Sequence, residues 1–146
     1  MKRILFIIVA VMVGGMSANA QEGLDVAAFF TEAYTSNPKV TMVSFSGERL
    51  ESRGMAKYKS ISVTDDSALS DKIARAVGKD GSRSESKEVS YKDGMLYFGF
   101  YFMGGTGKER RYLLYLDRRA VGKDKTTLIY IEGNLDMASV KRLIKR

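Results

Sequence analysis

The side chains of this sequence that could carry chemistry are carboxylates, lysines, serines and tyrosines, because its 146 residues include no His and no Cys. That composition removes Ser-His-Asp and Cys-His nucleophile systems, zinc sites built on His or Cys, and thiol redox work. Paired carboxylates or a Ser-Lys pair would still be available to an enzyme. Among the acids, Asp117 and Glu132 end two neighbouring predicted strands, an arrangement that could suit a hard cation if they faced each other. Two solvated strand ends explain them more simply. Asp65, Asp66 and Asp136 stand where helices should begin, so capping accounts for them. Gly104-Gly105-Thr106-Gly107-Lys108 has a glycine-rich look. It lacks the first Gly of a phosphate-binding loop at Phe102 and the Ser or Thr at Glu109, and it joins strands, so it reads as a hairpin turn. No metal and no cofactor is expected.

The most distinctive stretch is Met95 to Met103. Strict alternation sends Leu96, Phe98, Phe100 and Phe102 to one face and Tyr97, Gly99, Tyr101 and Met103 to the other. Tyr115 and Tyr130 on later strands could extend the tyrosine face into a platform of aromatic bodies with polar tips. Such a platform would suit a sugar or a peptide. A helix laid over the same face would instead make it core.

These residues need elements to hold them. Leu24 to Thr35 has helical spacing at Val26, Phe29, Phe30 and Ala33, and ends at Asn37-Pro38. Val40 to Ser46 and Tyr58 to Thr64 read as strands, separated by a short polar turn or helix over Gly47 to Gly54. Asp65-Asp66-Ser67 opens a middle helix with a buried stripe of Leu69, Ile73, Ala76 and Val77, closed at Gly78. Lys79 to Lys87 reads as an exposed loop. Glu88 to Tyr91, Met95 to Met103, Glu109 to Asp117 and Thr126 to Glu132 follow as strands, the first two joined by Asp93-Gly94. Asp136 caps a last helix, with Leu135 and Val140 placed as a hydrophobic staple. The expected fold is therefore one α+β domain: a mainly antiparallel sheet of about six strands with N-terminal, middle and C-terminal helices packed on it. Arg75 to Asp80 recurs as Arg119 to Asp124, but the flanks differ, so shared turn chemistry explains the echo better than duplication.

Ahead of this domain lies a different kind of segment. Lys2 and Arg3 precede an unbroken apolar run from Ile4 to Val13, and Ala18 and Ala20 give the small-x-small pattern of a cleavage site. The run is about half the ~20 residues a spanning helix needs. Residues 1–20 are thus expected to be a cleavable signal peptide, cut between Ala20 and Gln21, with residues 21–146 as the mature domain. Without Cys there is no lipoprotein anchor and no disulfide framework. The location should be periplasmic or extracellular. The chain holds 24 Lys and Arg against 17 Asp and Glu; Lys2 and Arg3 leave with the signal, so the charge falls from +7 to +5. Bases gather late, at Lys108, Arg110, Arg111, Arg118, Arg119, Lys123 and Lys125, then in the last helix. Weak contact with anionic surfaces follows from that, but no stable membrane span and no nucleic-acid partner.

The close of the chain, Leu128-Ile129-Tyr130-Ile131-Glu132-Gly133-Asn134-Leu135-Asp136 and a final helix, resembles small exported proteins of Bacteroidetes-type bacteria that form a family of unknown function. The Gly133-Asn134-Leu135-Asp136 turn carries that resemblance. It implies an envelope location and one α+β domain, and brings no catalytic residues. The functional expectation is a non-enzymatic envelope protein that binds another protein. The alternatives are a carbohydrate- or peptide-binding module using Tyr97, Tyr101, Tyr115 and Tyr130, and an enzyme of unfamiliar design. Intact-mass measurement on protein recovered from an exporting host should give the mass of the chain from Gln21 onward; retention of residues 1–20 would overturn the cleavage assignment.

Overall fold

The computed structural model describes residues 24–144. They form a six-stranded sheet made of β1 (Val40–Phe45), β2 (Met55–Thr64), β3 (Ser86–Lys92), β4 (Met95–Gly104), β5 (Arg110–Asp117) and β6 (Lys125–Gly133). The order across the sheet is β1-β2-β6-β5-β4-β3, and every neighbouring pair is antiparallel. The single-domain α+β reading fits. Helix α1 (Ser67–Gly81) carries the chain from β2 to the far edge. The meander β3–β6 then returns, so that β6 docks beside β2. Helix α2 (Met137–Ile144) follows β6.

The three-helix expectation needs correction. Among the described residues only α1 and α2 exceed one α-helical turn, and the N-terminal stretch forms two 3-10 turns, Asp25–Phe29 and Glu32–Tyr34. The cause is tertiary. Phe29 and Phe30 are adjacent and both buried, and the backbone breaks at Thr31, which is extended at φ −124°, ψ 170°. The buried Asp80 carboxylate also fixes the first turn from outside, accepting the N–H of Asp25 at 2.8 Å and of Val26 at 2.9 Å. A packed pair of rings and a foreign cap outweigh helical periodicity here. Asp80 belongs to one copy of the sequence echo; its counterpart Asp124 is exposed in the link just before β6, so the two copies differ in structure as well as in context. Helix α1 also runs past Gly78 to Gly81, which takes residues from the expected loop. Its start is as expected, with Asp66 accepting the N–H of Leu69 at 3.1 Å.

Alternation along the strands makes two cores. On one face α1 and the N-terminal turns cover Ile61, Val63, Tyr101, Leu113, Tyr115, Leu128 and Tyr130. On the other, α2 and a single helical turn, Glu48–Glu51, pack near Phe100, Tyr112, Leu114 and Ile131 through Val140 and Leu50. Leu96 departs from the expected phenylalanine face and packs with the α1 core. A bulge explains it: Ser90 pairs with Phe98 but Tyr91 with Leu96, so Tyr97 is the extra residue and the alternation reverses there.

Two close approaches hold these layers. A Cβ on Gly99 would lie 2.5 Å from the Tyr101 hydroxyl, and one on Gly81 would lie 2.5 Å from the same ring. Tyr101 is thus folded back over Gly99 and capped by the end of α1. The second approach explains the Gly133-Asn134-Leu135-Asp136 turn. A Cβ on Gly133 would meet the Gly54 carbonyl at 2.4 Å, and the N–H of Asn134 donates to that carbonyl at 2.8 Å. Leu135 lies against Gly54, its own carbonyl accepts from the Tyr112 hydroxyl, and Asp136 caps α2 through the N–H of Ser139 at 2.8 Å.

At the other end of β5 sits a buried polar network. Asp117, 1% exposed, accepts from Arg119 at 2.8 and 2.9 Å and from the Tyr115 hydroxyl at 2.8 Å. Arg119 also reaches Asp71 on α1 at 2.9 Å, which ties helix to sheet. Burial by itself would raise the Asp117 pKa, but the hydrogen bonds from Arg119 and Tyr115 outweigh it and hold the carboxyl below its ordinary 3.8.

Two stability predictions follow from these contacts. Gly99→Ala should lower the unfolding free energy by about 1–3 kcal/mol, since Tyr101 has no free space to yield; the urea midpoint measures it. Asp117→Asn should cost roughly 3 kcal/mol at neutral pH by breaking a buried pair. Because the folded pKa of Asp117 is depressed, its contribution is complete above the ordinary value and fades as pH falls through 3.8 toward the folded pKa. The gap in urea midpoint between the original chain and Asp117→Asn should therefore shrink in acid and hold steady above that range.

Candidate functional site

The four tyrosines proposed from sequence separate into two environments. Tyr101, Tyr115 and Tyr130 are brought together on one face, 3%, 1% and 0% exposed, beneath α1. Burial pushes the Tyr101 hydroxyl up to about 12. It also raises those of Tyr115 and Tyr130, further helped by their bonds to Asp117 and Glu132. Tyr97 lies apart at the bulge, half-buried, with the Lys92 ammonium 5.6 Å from its ring centroid. The space left by Gly99 is filled by Tyr101 itself. Ala20 and Gln21, the expected cleavage pair, lie outside the described residues.

Asp117 and Glu132 do not face each other. Asp117 pairs with Thr126, whereas Glu132 pairs with Arg111. An antiparallel hairpin sets the end of one strand against the start of the next, so the two carboxylates stand six residues apart along β6, roughly 20 Å. Glu132 accepts from the Tyr130 hydroxyl at 2.7 Å and sits between Lys57 and Arg111 in the strand register. Lys59, next along β2 on the same face, is buried; burial and then Lys57 lower its pKa, and Glu132 opposes them. This is a polar group balancing its own charges inside the sheet. Among the described residues, no group of three or more acids is placed to hold a metal ion.

The late basic residues are split by the same topology. Lys108 lies between β4 and β5, and Lys123 lies between β5 and β6 at the opposite end of the sheet. Arg119 is committed to Asp117 and Asp71, and Lys141 to Glu88 at 2.7 Å. No helix among the described residues is long and apolar enough to cross a membrane.

A cleft does open where β1 ends. Its cavity of about 600 Å³ is lined by Phe45, Ser46, Glu48, Leu50, Arg53, Met55 and Tyr58, a volume within the usual range for small-ligand sites. Cross-strand pairing of Phe45 with Tyr58 sets the two rings 5.8 Å apart at 44°. The chain then turns at Gly47, where φ is +107°, makes the helical turn Glu48–Glu51, and turns again at Gly54, where φ is +82°. That route drops Leu50 and Met55 into the floor, where they are 8% and 7% exposed, and leaves Phe45 45% exposed at the wall. Glu48 and Arg53 supply one charge of each sign among the lining residues. The arrangement can take up an apolar side chain against two rings while its rim pairs with polar or charged neighbours.

Sequence reasoning missed this cleft. Phe45 had a signal, as an aromatic at the end of a strand followed by a glycine turn, but Leu50 and Met55 reach the site only through the returning chain.

No curated protein and no solved structure matches this chain. Residues 13–144 match the model of a family of unknown function, DUF6108. The motif that carried the resemblance is thus explained as a close backbone approach followed by a helix cap, and the chain belongs to this family of unknown function.

Proposed function

We propose that this chain is exported and works in the cell envelope as a binding domain, taking an apolar side chain of a protein or peptide partner into the cleft beside β1. The observation that carries the reading is Phe45, a large apolar ring 45% exposed at the wall of a cavity whose floor is Leu50, Met55 and Tyr58. An exposed aromatic over an apolar floor leaves surface that a partner would remove from water, and rings of this kind dominate binding energy when they are buried in an interface. Charges of both signs at the rim suit a peptide, which presents both donors and acceptors beside its side chains. The export part rests on Lys2, Arg3, the apolar run to Val13, and Ala18 and Ala20.

Sugar binding on the tyrosine face finds less support, since three of its four rings lie under α1.

The test is selection from a displayed peptide library, followed by titration of the chosen peptides against the original chain, Phe45→Ala and Tyr58→Ala. Selected peptides should share one large apolar residue. Phe45→Ala should weaken them by about tenfold or more while the urea midpoint stays close to the original. Equal affinity for the original chain and both variants would remove the cleft as the binding site.

A further inference from the structure

β3 forms the edge of the sheet opposite β1, and all seven of its residues are exposed. Among the described residues no strand pairs with its outer edge, which presents a row of backbone donors and acceptors. Two of the four exposed large apolar side chains of the described residues are on it, Val89 at 38% and Tyr91 at 64%. The strand pairs regularly with β4 up to Ser90, so Glu88, Ser90 and Lys92 share one face, while Lys87, Val89 and Tyr91 share the other.

Written against its own reverse and centred on Ser90, this strand is complementary to itself. Glu88 falls opposite Lys92 and Val89 opposite Tyr91, with Ser90 on the axis. Each pair occurs twice, so the contact holds two opposite-charge pairs on one face and two apolar pairs on the other. Moving the centre to Val89 or to Tyr91 pairs no opposite charges at all. Edge lysines ordinarily protect a sheet from adding further strands. Here the order of charges favours one register over its neighbours.

We propose that β3 is a self-association edge: two copies of this chain join β3 to β3, antiparallel and centred on Ser90, into one continuous sheet. The contact is isologous, with the same patch on both copies, and it closes as a dimer. Backbone bonds along the edge supply the association, and the facing side-chain pairs set the register. This surface is separate from the cleft at Phe45 and does not depend on any function there.

Sedimentation of the purified chain should give twice the mass of one copy. Lys92→Glu sets Glu88 against a second acid and should give monomer. Glu88→Lys should do the same, although it also removes the exposed pair with Lys141. The double variant Glu88→Lys/Lys92→Glu restores opposite signs and should return the dimer. The chain has no Cys, so single cysteines report the register directly. Under a mild oxidant Ser90→Cys should cross-link to its own copy, and Val89→Cys should not. A monomeric original chain would overturn the proposal, as would single charge reversals that leave the dimer intact, or cross-linking through Val89→Cys in preference to Ser90→Cys.

Discussion

The pairing of β2 with β6 is the constraint on which the rest of this molecule depends. Every other strand pair joins neighbours in sequence; this one closes a loop of some sixty residues and attaches the β1–β2 hairpin to the meander. Loop closure of that length has an entropic cost, so the junction must hold tightly once made. It does so on both faces at once. Ile61 and Leu128 meet under α1, while Ser62 and Thr127 bond through their hydroxyls at 3.1 Å on the opposite side. A slip of one residue would send Ile61 and Val63 out of the α1 core and bring Ser60 and Ser62 in. The approach of Gly133 to Gly54 fixes the far end of the same junction, where only a residue without a Cβ fits. The short motif at the close of the sequence is therefore a register lock, and its conversion into a helix start by Asp136 is a separate, adjacent job.

The two sheet faces are covered unequally, and that difference places the cleft. Helix α1 has fifteen residues and, with the N-terminal turns, spans the face that holds Tyr101, Tyr115 and Tyr130. Helix α2 has eight residues and lies over Phe100, Tyr112 and Ile131. Eight residues reach about 12 Å, less than the width of six strands at about 4.8 Å apart. Toward β1 the second face is left to one helical turn, and Phe45 and Tyr58 keep their exposure there.

How much of this was legible in the sequence depended on the range of the interaction. Local signals were readable: Asp93-Gly94 makes its hairpin, Asp66 and Asp136 cap their helices, and the Phe98–Phe100–Phe102 alternation names a buried face. Features decided by distant contacts were not. The N-terminal stretch has helical spacing, yet Asp80, more than fifty residues away, holds its first turn. The bulge at Tyr97 leaves no local mark, so strict alternation puts Leu96 on the wrong face. Asp117 and Glu132 look adjacent when strands are written as a list of ends, and only chain direction separates them. Tyr101, Tyr115 and Tyr130 do share a face, whereas the bulge sets Tyr97 apart; whether a helix or a ligand covers that face is a question about α1, whose path from β2 to β3 no residue on β4 encodes.

The two open regions lie at opposite edges of one sheet, and this has a geometric consequence. The cleft is beside β1 and the self-complementary strand is β3. A dimer joined at β3 by a two-fold axis carries its two clefts outward, at the far ends of the extended sheet, with neither occluded by the contact. Such a particle would grip a repeated or paired partner at two points. The second attachment would then be intramolecular, and modest affinity at each cleft would suffice for lasting attachment. Pairing through β1 would instead bring the clefts against each other and close them. The charge order on β3 and the exposed ring on β1 are in this sense consistent with one another: the edge that matches itself is the one whose use leaves the other site free.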